Sequence, residues 1–256
     1  MRSLTSEFLV TVAFAIVCLV AVATPAGRSA FWSMYTRMRG RATAPERLAG
    51  FDAGVRDDVR RWCGDANVTY PPAELALVAF KQERVMHLCG RDSGAWHRLA
   101  SLPILAASGS PGPKLVAGDG QVPEGIYAVE SLNPNSRFHL ALRVNYPNAL
   151  DRERARADGR MDLGGDIMIH GGSASIGCLA LGDDAIERVF LIAAERGVGG
   201  IRVIIAPCDL RRGEPTLVSR APPWVGELYA ELRAALEPFP SFEERGATAI
   251  GRSDGR

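Results

Sequence analysis

Charge of one sign is not in surplus anywhere in this chain: 30 Lys and Arg stand against 29 Asp and Glu, a formal net charge of +1. Without a basic excess there is no electrostatic footprint for nucleic acid, so no nucleic-acid partner is expected. Histidine is scarce. The four histidines show no His-x-x-x-His spacing and the five cysteines no Cys-x-x-Cys pair, so neither a metal site nor a cofactor is expected. No internal repeat is visible, and a composition of 47% hydrophobic and 23% charged residues argues against disorder. What is plentiful is turn chemistry. Sixteen prolines and 27 glycines suit a sheet-rich fold better than a helical bundle.

One apolar run stands apart. Phe8 to Ala23 (FLVTVAFAIVCLVAVA) carries no charge, follows Arg2, and ends in the small residues Ala21-Val22-Ala23. A basic start, an apolar core and an Ala-x-Ala site describe a secretory signal peptide, with an uncleaved anchor as the rival reading. The expectation is an exported protein of the periplasm or cell envelope, touching a membrane only through residues 8–23. Cys18 lies inside this run, which leaves Cys63, Cys89, Cys178 and Cys208 in the exported part. In an oxidising compartment these could form two disulfides, and Cys63 with Cys89 is the pair that adjacent elements could bring together.

The rest divides by composition. Residues 1–26 read as signal peptide or anchor, 27–72 as linker and N-terminal helix, 73–208 as the main domain, and 209–256 as a C-terminal helix and polar tail. Pro45–Cys63 has Leu48, Phe51, Val55, Val59 and Trp62 at helical spacing, interrupted by glycines. Strands are expected at 75–80, 85–89, 96–99, 125–130, 137–145, 166–170 and 201–206. In the strand over 137–145, strict alternation assigns Phe138, Leu140, Leu142 and Val144 to the core and Arg137, His139, Ala141 and Arg143 to the opposite face. A helix over 183–196 is expected to start in an Asp184/Glu187 capping box and to stop at Gly197, and Trp224, Leu228, Leu232 and Leu236 mark another. The fold class this implies is α+β, a mixed sheet with a few flanking helices.

The segment Ile169–Leu181 (IHGGSASIGCLAL) carries the chemistry. A strand delivers His170, a glycine turn follows, and Cys178 arrives eight residues later, close enough to fold back on the imidazole. A thiol becomes a strong nucleophile as the thiolate, which a neighbouring imidazole generates by taking the proton. On that reading the Cys178 pKa should be depressed. Gly171, Gly172 and Gly177 permit unusual backbone angles, and Ser175, Ile176 and Gly177 form the loop whose N–H groups could stabilise an oxyanion. The blander reading keeps Cys178 as a small buried hydrophobe and His170 as a strand end.

His170-Gly171 followed by Ser175-Ile176-Gly177-Cys178 resembles the active-site motif of the L,D-transpeptidase (YkuD-domain) family. Gly118 to Tyr127 (GDGQVPEGIY) resembles that family's upstream hairpin. Gly112-Pro113-Lys114, Leu132 to Ser136, His139-Leu140, Tyr146 to Ala149 and Ile167 to Gly172 are similar to its YafK-like subgroup. The resemblance implies an L,D-transpeptidase-like mixed β-sandwich with the cysteine in a cleft. It also implies acyl transfer on peptidoglycan peptide stems through a Cys178 thioester, with His170 as general base.

The chain departs from the commonest family pattern at Ile176, usually His, and at Ala180, usually Arg or Asn. Both changes bear on the acyl acceptor. An amide hydrolase acting through the same thioester, on crosslinks or on a wall-linked lipoprotein, is therefore an alternative. From another class, a catalytically silent peptidoglycan-binding module is a third. His139, Arg137 and Lys114 are candidate substrate-binding residues, as is Arg143; each has an ordinary surface-charge reading beside it. His87 and His97 are expected to be structural.

Overall fold

Eight strands join in one hydrogen-bonded order, β3-β2-β1-β8-β4-β5-β6-β7, in the computed structural model, which describes residues 41–215 and 221–242. They are β1 (Glu74–Phe80), β2 (Val85–Arg91), β3 (His97–Pro103), β4 (Gly125–Ser136), β5 (His139–Val144), β6 (Met168–His170), β7 (Leu179–Ala180) and β8 (Arg202–Ala206). Five helices accompany them among the described residues: α1 (Ala44–Ala49), α2 (Ala53–Asp65), α3 (Ala149–Ala157), α4 (Asp183–Arg196) and α5 (Val225–Leu236). All belong to the unit Ala44–Arg256. The apolar run Phe8–Ala23, the linker up to residue 40 and the tail beyond residue 242 lie outside the described residues. No described helix is long and apolar enough to cross a membrane.

The sheet is mixed, as the α+β expectation requires. β1 pairs parallel with β8 and β6 parallel with β7, while the remaining ladders are antiparallel. Long β4 serves two halves. Its first residues pair with β8, and its later ones pair with β5 across a register shift.

Continuous apolar runs in β1 and β8 follow from burial on both faces. Leu75, Leu77, Ala79, Val203 and Ile205 enter the main core with Val55 and Val59 of α2 and Ile186, Val189 and Phe190 of α4. Ala76, Val78, Phe80, Ile204 and Ala206 enter a second core under Leu228, Leu232 and Leu236 of α5. A fully buried side chain of this size contributes roughly 1.5–3 kcal/mol.

Several expectations change. The helix read over 45–63 is two helices, parted at Gly50–Asp52, and the Asp52 carboxylate caps the second by accepting from Gly54 N. Helix α4 starts at Gly182 without a side-chain cap, so the Asp184/Glu187 capping box does not form. Its Gly197 stop stands, with φ at 85°. Cys63 and Cys89 are free thiols in different cores, with the sheet between them, so no disulfide joins them. Phe138 is 44% exposed instead of sharing the core with Leu140, Leu142 and Val144, because it precedes β5 and His139 turns the backbone with φ at 68°. Ala141, expected on the polar face, is buried.

Candidate active site

Parallel pairing of β6 with β7 sets Ile169 beside Leu179 and His170 beside Ala180. Ile169 and Leu179 both point into the main core. His170 closes β6, and Cys178 sits in the bend that leads into β7, two residues before the Ala180 that pairs with His170. Strand spacings place their Cα atoms about 8 Å apart on the diagonal, a gap that an imidazole and a thiol together can span.

His170 is 2% exposed. Its Nδ1 lies 2.6 Å from the Gly171 carbonyl oxygen, which can only accept. Nδ1 therefore carries the proton, and in the neutral ring Nε2 keeps its lone pair. Among the described residues no hydrogen bond engages Nε2. Phe138 stacks on the ring at 4.6 Å between centroids and 25° between planes. Burial holds the imidazole below its usual pKa, and the Gly171 carbonyl opposes that only partly.

Gly171 is closely packed. A Cβ there would lie 2.6 Å from Asp183 Oδ1 and 2.7 Å from the Phe138 carbonyl oxygen. Asp183 Oδ1 in turn accepts from Gly172 N at 2.7 Å, which ties the turn after the histidine to the start of α4.

Cys178 is half-buried, and its thiol points to the Asp166 carbonyl oxygen at 3.7 Å. Burial pushes this thiol up, with the Asp166 charge adding to the effect and a Met168 backbone bond and Lys114 working against it. The expected depression is thus not found. Burial disfavours the charged form of each group, so at rest thiol and imidazole are both neutral.

The loop ahead of the cysteine is held by hydroxyls. Ser175 Oγ accepts from Cys178 N at 2.9 Å and donates to Cys178 O at 2.7 Å. Ser108 Oγ accepts from Gly177 N at 2.6 Å and donates to Gly120 O at 2.6 Å. Gly177 needs its glycine, with φ at 89° and a virtual Cβ 3.4 Å from Gln121 O. Both N–H groups nearest the thiol are therefore engaged at rest, and an oxyanion would have to displace Ser108 or Ser175 from them. Nothing local in the sequence marks Ser108, which lies 69 residues from Gly177 in a serine- and glycine-rich loop.

A cleft of about 160 Å³ opens at the thiol, lined by Lys114, Asp166, Ile167, Ile176, Gly177 and Cys178 together with glycines. Lys114 is nearly buried and donates to Asp119 Oδ1 at 2.6 Å and Val116 O at 2.9 Å. Burial alone would raise the Asp119 carboxyl, but Lys114 and the N–H groups of Val116, Gln121 and Leu115 hold it below the usual range. Ile176, at 87% exposure, stands at the rim.

A buried network anchors the wall. Lys81 Nζ donates to Gly112 O, Val122 O and Glu124 Oε1, and Tyr229 Oη donates to Glu124 Oε2. Of the other candidates, His139 Nε2 pairs with Glu187 Oε1 of α4 at 2.7 Å, and Arg137 is exposed in the β4–β5 turn. Neither lines the cleft. His87 is buried on another part of the sheet and His97 is exposed, away from the thiol.

No protein-family model matches the chain. Among curated proteins, "Putative L,D-transpeptidase YafK" of Escherichia coli (strain K12) is 37% identical over 113 residues, 43% of this chain and 44% of that protein. The protein of the same description from Escherichia coli O157:H7 matches with the same figures. Over those 113 residues the chain is similar to proteins described as putative L,D-transpeptidases. It spans less than half the length of these curated relatives.

Among solved structures, the helical cell shape determining protein Pgp2 from Campylobacter jejuni aligns at TM-score 0.43 and 22% identity, over 62% of this chain and 54% of that one. Bdellovibrio bacteriovorus Bd1075 aligns at 0.40 and 20%, over 66% and 56%. Mycobacterium tuberculosis L,D-transpeptidase 1 aligns at 0.30 and 16%, over 52% and 62%.

Proposed function

We propose that this chain is an exported cysteine acyltransferase of peptidoglycan peptide stems, with Cys178 as nucleophile and His170 as general base. The observation that supports the reading is the β6–β7 pairing, which brings the strand ending in His170 beside the one that follows Cys178, while the Gly171 carbonyl holds the proton on Nδ1 and leaves the Nε2 lone pair free. Kinship with proteins described as L,D-transpeptidases supports the substrate class.

Because the resting pair is neutral, the thiol proton passes to Nε2 as sulfur attacks the stem carbonyl. The imidazolium then protonates the departing amine, leaving an acyl thioester on Cys178. An acceptor amine, or water, gives its proton to Nε2 as it attacks the thioester, and the imidazolium passes that proton to the departing sulfur, restoring the neutral thiol and imidazole. The thiol must first turn from the Asp166 carbonyl toward the imidazole, and resting catalytic contacts of this kind are often long.

The engaged N–H groups of Gly177 and Cys178 favour a second reading, a silent wall-binding module. Intact-mass analysis after incubation with a purified muropeptide separates the two. Acyltransfer or hydrolysis gives a mass gain on the wild type that is absent from Cys178→Ala. An unmodified wild-type protein that binds the muropeptide without converting it establishes the silent module instead. Export rests on the segment 8–23; fusing residues 1–45 to a reporter active only outside the cytoplasm tests it, and a silent, well-expressed fusion refutes it.

A further inference from the structure

The cleft at Cys178 does not end at its own walls. Gly164 and Gly165 line it on one side and, on the other, line an open trough of about 500 Å³. The trough is bounded by Glu130, Arg143, Asn145, Asn148 and Arg152. These two glycines are common to both spaces, beside the Arg143–Asp166 ion pair that joins the trough wall to the cleft wall. Gly164 is required there by its fold, with φ at 71° and a virtual Cβ 3.2 Å from Ala117 Cα. Gly165 is not: a Cβ on it meets nothing within 4 Å, so the open passage above it is space that the backbone leaves free.

The charges in the trough are unequal in their commitments. Arg143 is held between Glu130 Oε2 at 2.7 Å and Asp166 Oδ1 at 2.5 Å. Arg152, on the first turn of α3, is exposed and forms no ion pair among the described residues. Its guanidinium is a planar donor fork suited to a carboxylate. Asn145 and Asn148 use their amide oxygens on backbone N–H groups, Ala128 N for the first and Leu150 N and Asp151 N for the second. They brace the trough wall and leave Arg152 as its uncommitted charge.

We propose that this trough is a second subsite of the cleft, in which Arg152 takes a free carboxylate of a peptide that crosses Gly165 with its reacting carbonyl at Cys178. The proposal rests on the function proposed above for the choice of a wall peptide as ligand.

Calorimetry on the Cys178→Ala protein tests it, with a synthetic wall peptide ending in diaminopimelic acid as probe and its carboxamide counterpart as control. The acid should bind at least about tenfold more tightly than the amide. Arg152→Glu should erase that preference, and Gly165→Val, which fills the passage without touching a charge, should bring the acid down to the level of the amide. Equal binding of acid and amide, a preference that survives Arg152→Glu, or no binding of either peptide overturns the subsite. The two readings fail separately. A protein with an Arg152-dependent preference that never acquires an acyl group on Cys178 keeps the subsite and loses the acyltransferase. Acylation of the wild type that is indifferent to Arg152 does the reverse.

Discussion

His87 and His170 inhabit nearly the same physical environment and end with different prospects. Both rings are buried, both are stacked on a phenylalanine, and desolvation pushes both below the usual imidazole pKa, His87 to about 4. His87 Nδ1 meets Ser101 Oγ at 2.9 Å between strands, the ring lies flat on Phe242 at 4.0 Å, and Phe80 abuts its edge. His170 Nδ1 meets a carbonyl, which fixes its tautomer, and its strand lies against the one that follows Cys178. Burial and stacking do not make a base. What the second nitrogen faces does.

The comparison breaks outright if the two histidines exchange effects on turnover. Cys178→Ala should abolish conversion of muropeptides, and His170→Ala should lower kcat by roughly 10²–10⁴-fold, the usual worth of a positioned base. His87→Ala should leave kcat unchanged and lower the melting temperature. Loss of turnover in His87→Ala at a temperature where that protein is folded would contradict the division of roles.

A smaller effect sharpens it on the structural side. The folded His87 pKa of about 4 lies below the ordinary 6.5, so the unfolded chain takes up that proton first. The stability this ring contributes is complete above pH 6.5 and is lost as pH falls through about 4, an amount of about 3 kcal/mol at most. Urea midpoints measured between pH 7.5 and 4 should fall for the wild type and fall less for His87→Phe, which keeps a stacked ring without a titrating nitrogen.

Alkylation of Cys178 by iodoacetamide, followed by mass spectrometry of its peptide, should rise only above the 9.0 of an ordinary thiol, since burial holds it protonated. A midpoint below that value would restore the preformed ion pair expected from the sequence. The smallest change belongs to Phe138→Ala. Uncovering the ring should let the His170 pKa climb toward 6.5, read by NMR titration, with no matching change at His87.

Much of the fold was legible because apolar runs report burial directly. β1 and β8 could be read from unbroken apolar residues, and α4 and α5 from helical stripes. Helix α3 could not. Its nine residues ALDRERARA are mostly polar, and its start depends on a reciprocal Asn148–Asp151 capping box behind Pro147. The site divides likewise. The His170–Cys178 loop declared itself by local spacing, whereas Ser108 acts across 69 residues and Phe138 by facing away from the core its alternation assigned to it. The protonated thiol was illegible because desolvation depends on what surrounds a group, not on which neighbour it has in sequence.

One strand has a consequence for how the chain is made. β8, from residues 202–206, lies between β1 and β4 in the middle of the sheet, with Leu77 opposite Val203. A nascent chain that has not yet produced those residues holds two half-sheets, each ending in an unpaired edge with nothing to close it. Loop closure over that span is slow, and such edges invite pairing with other chains. A truncation ending before residue 202 should accumulate as aggregate. Until β8, the last strand among the described residues, has been made, the sheet cannot be completed.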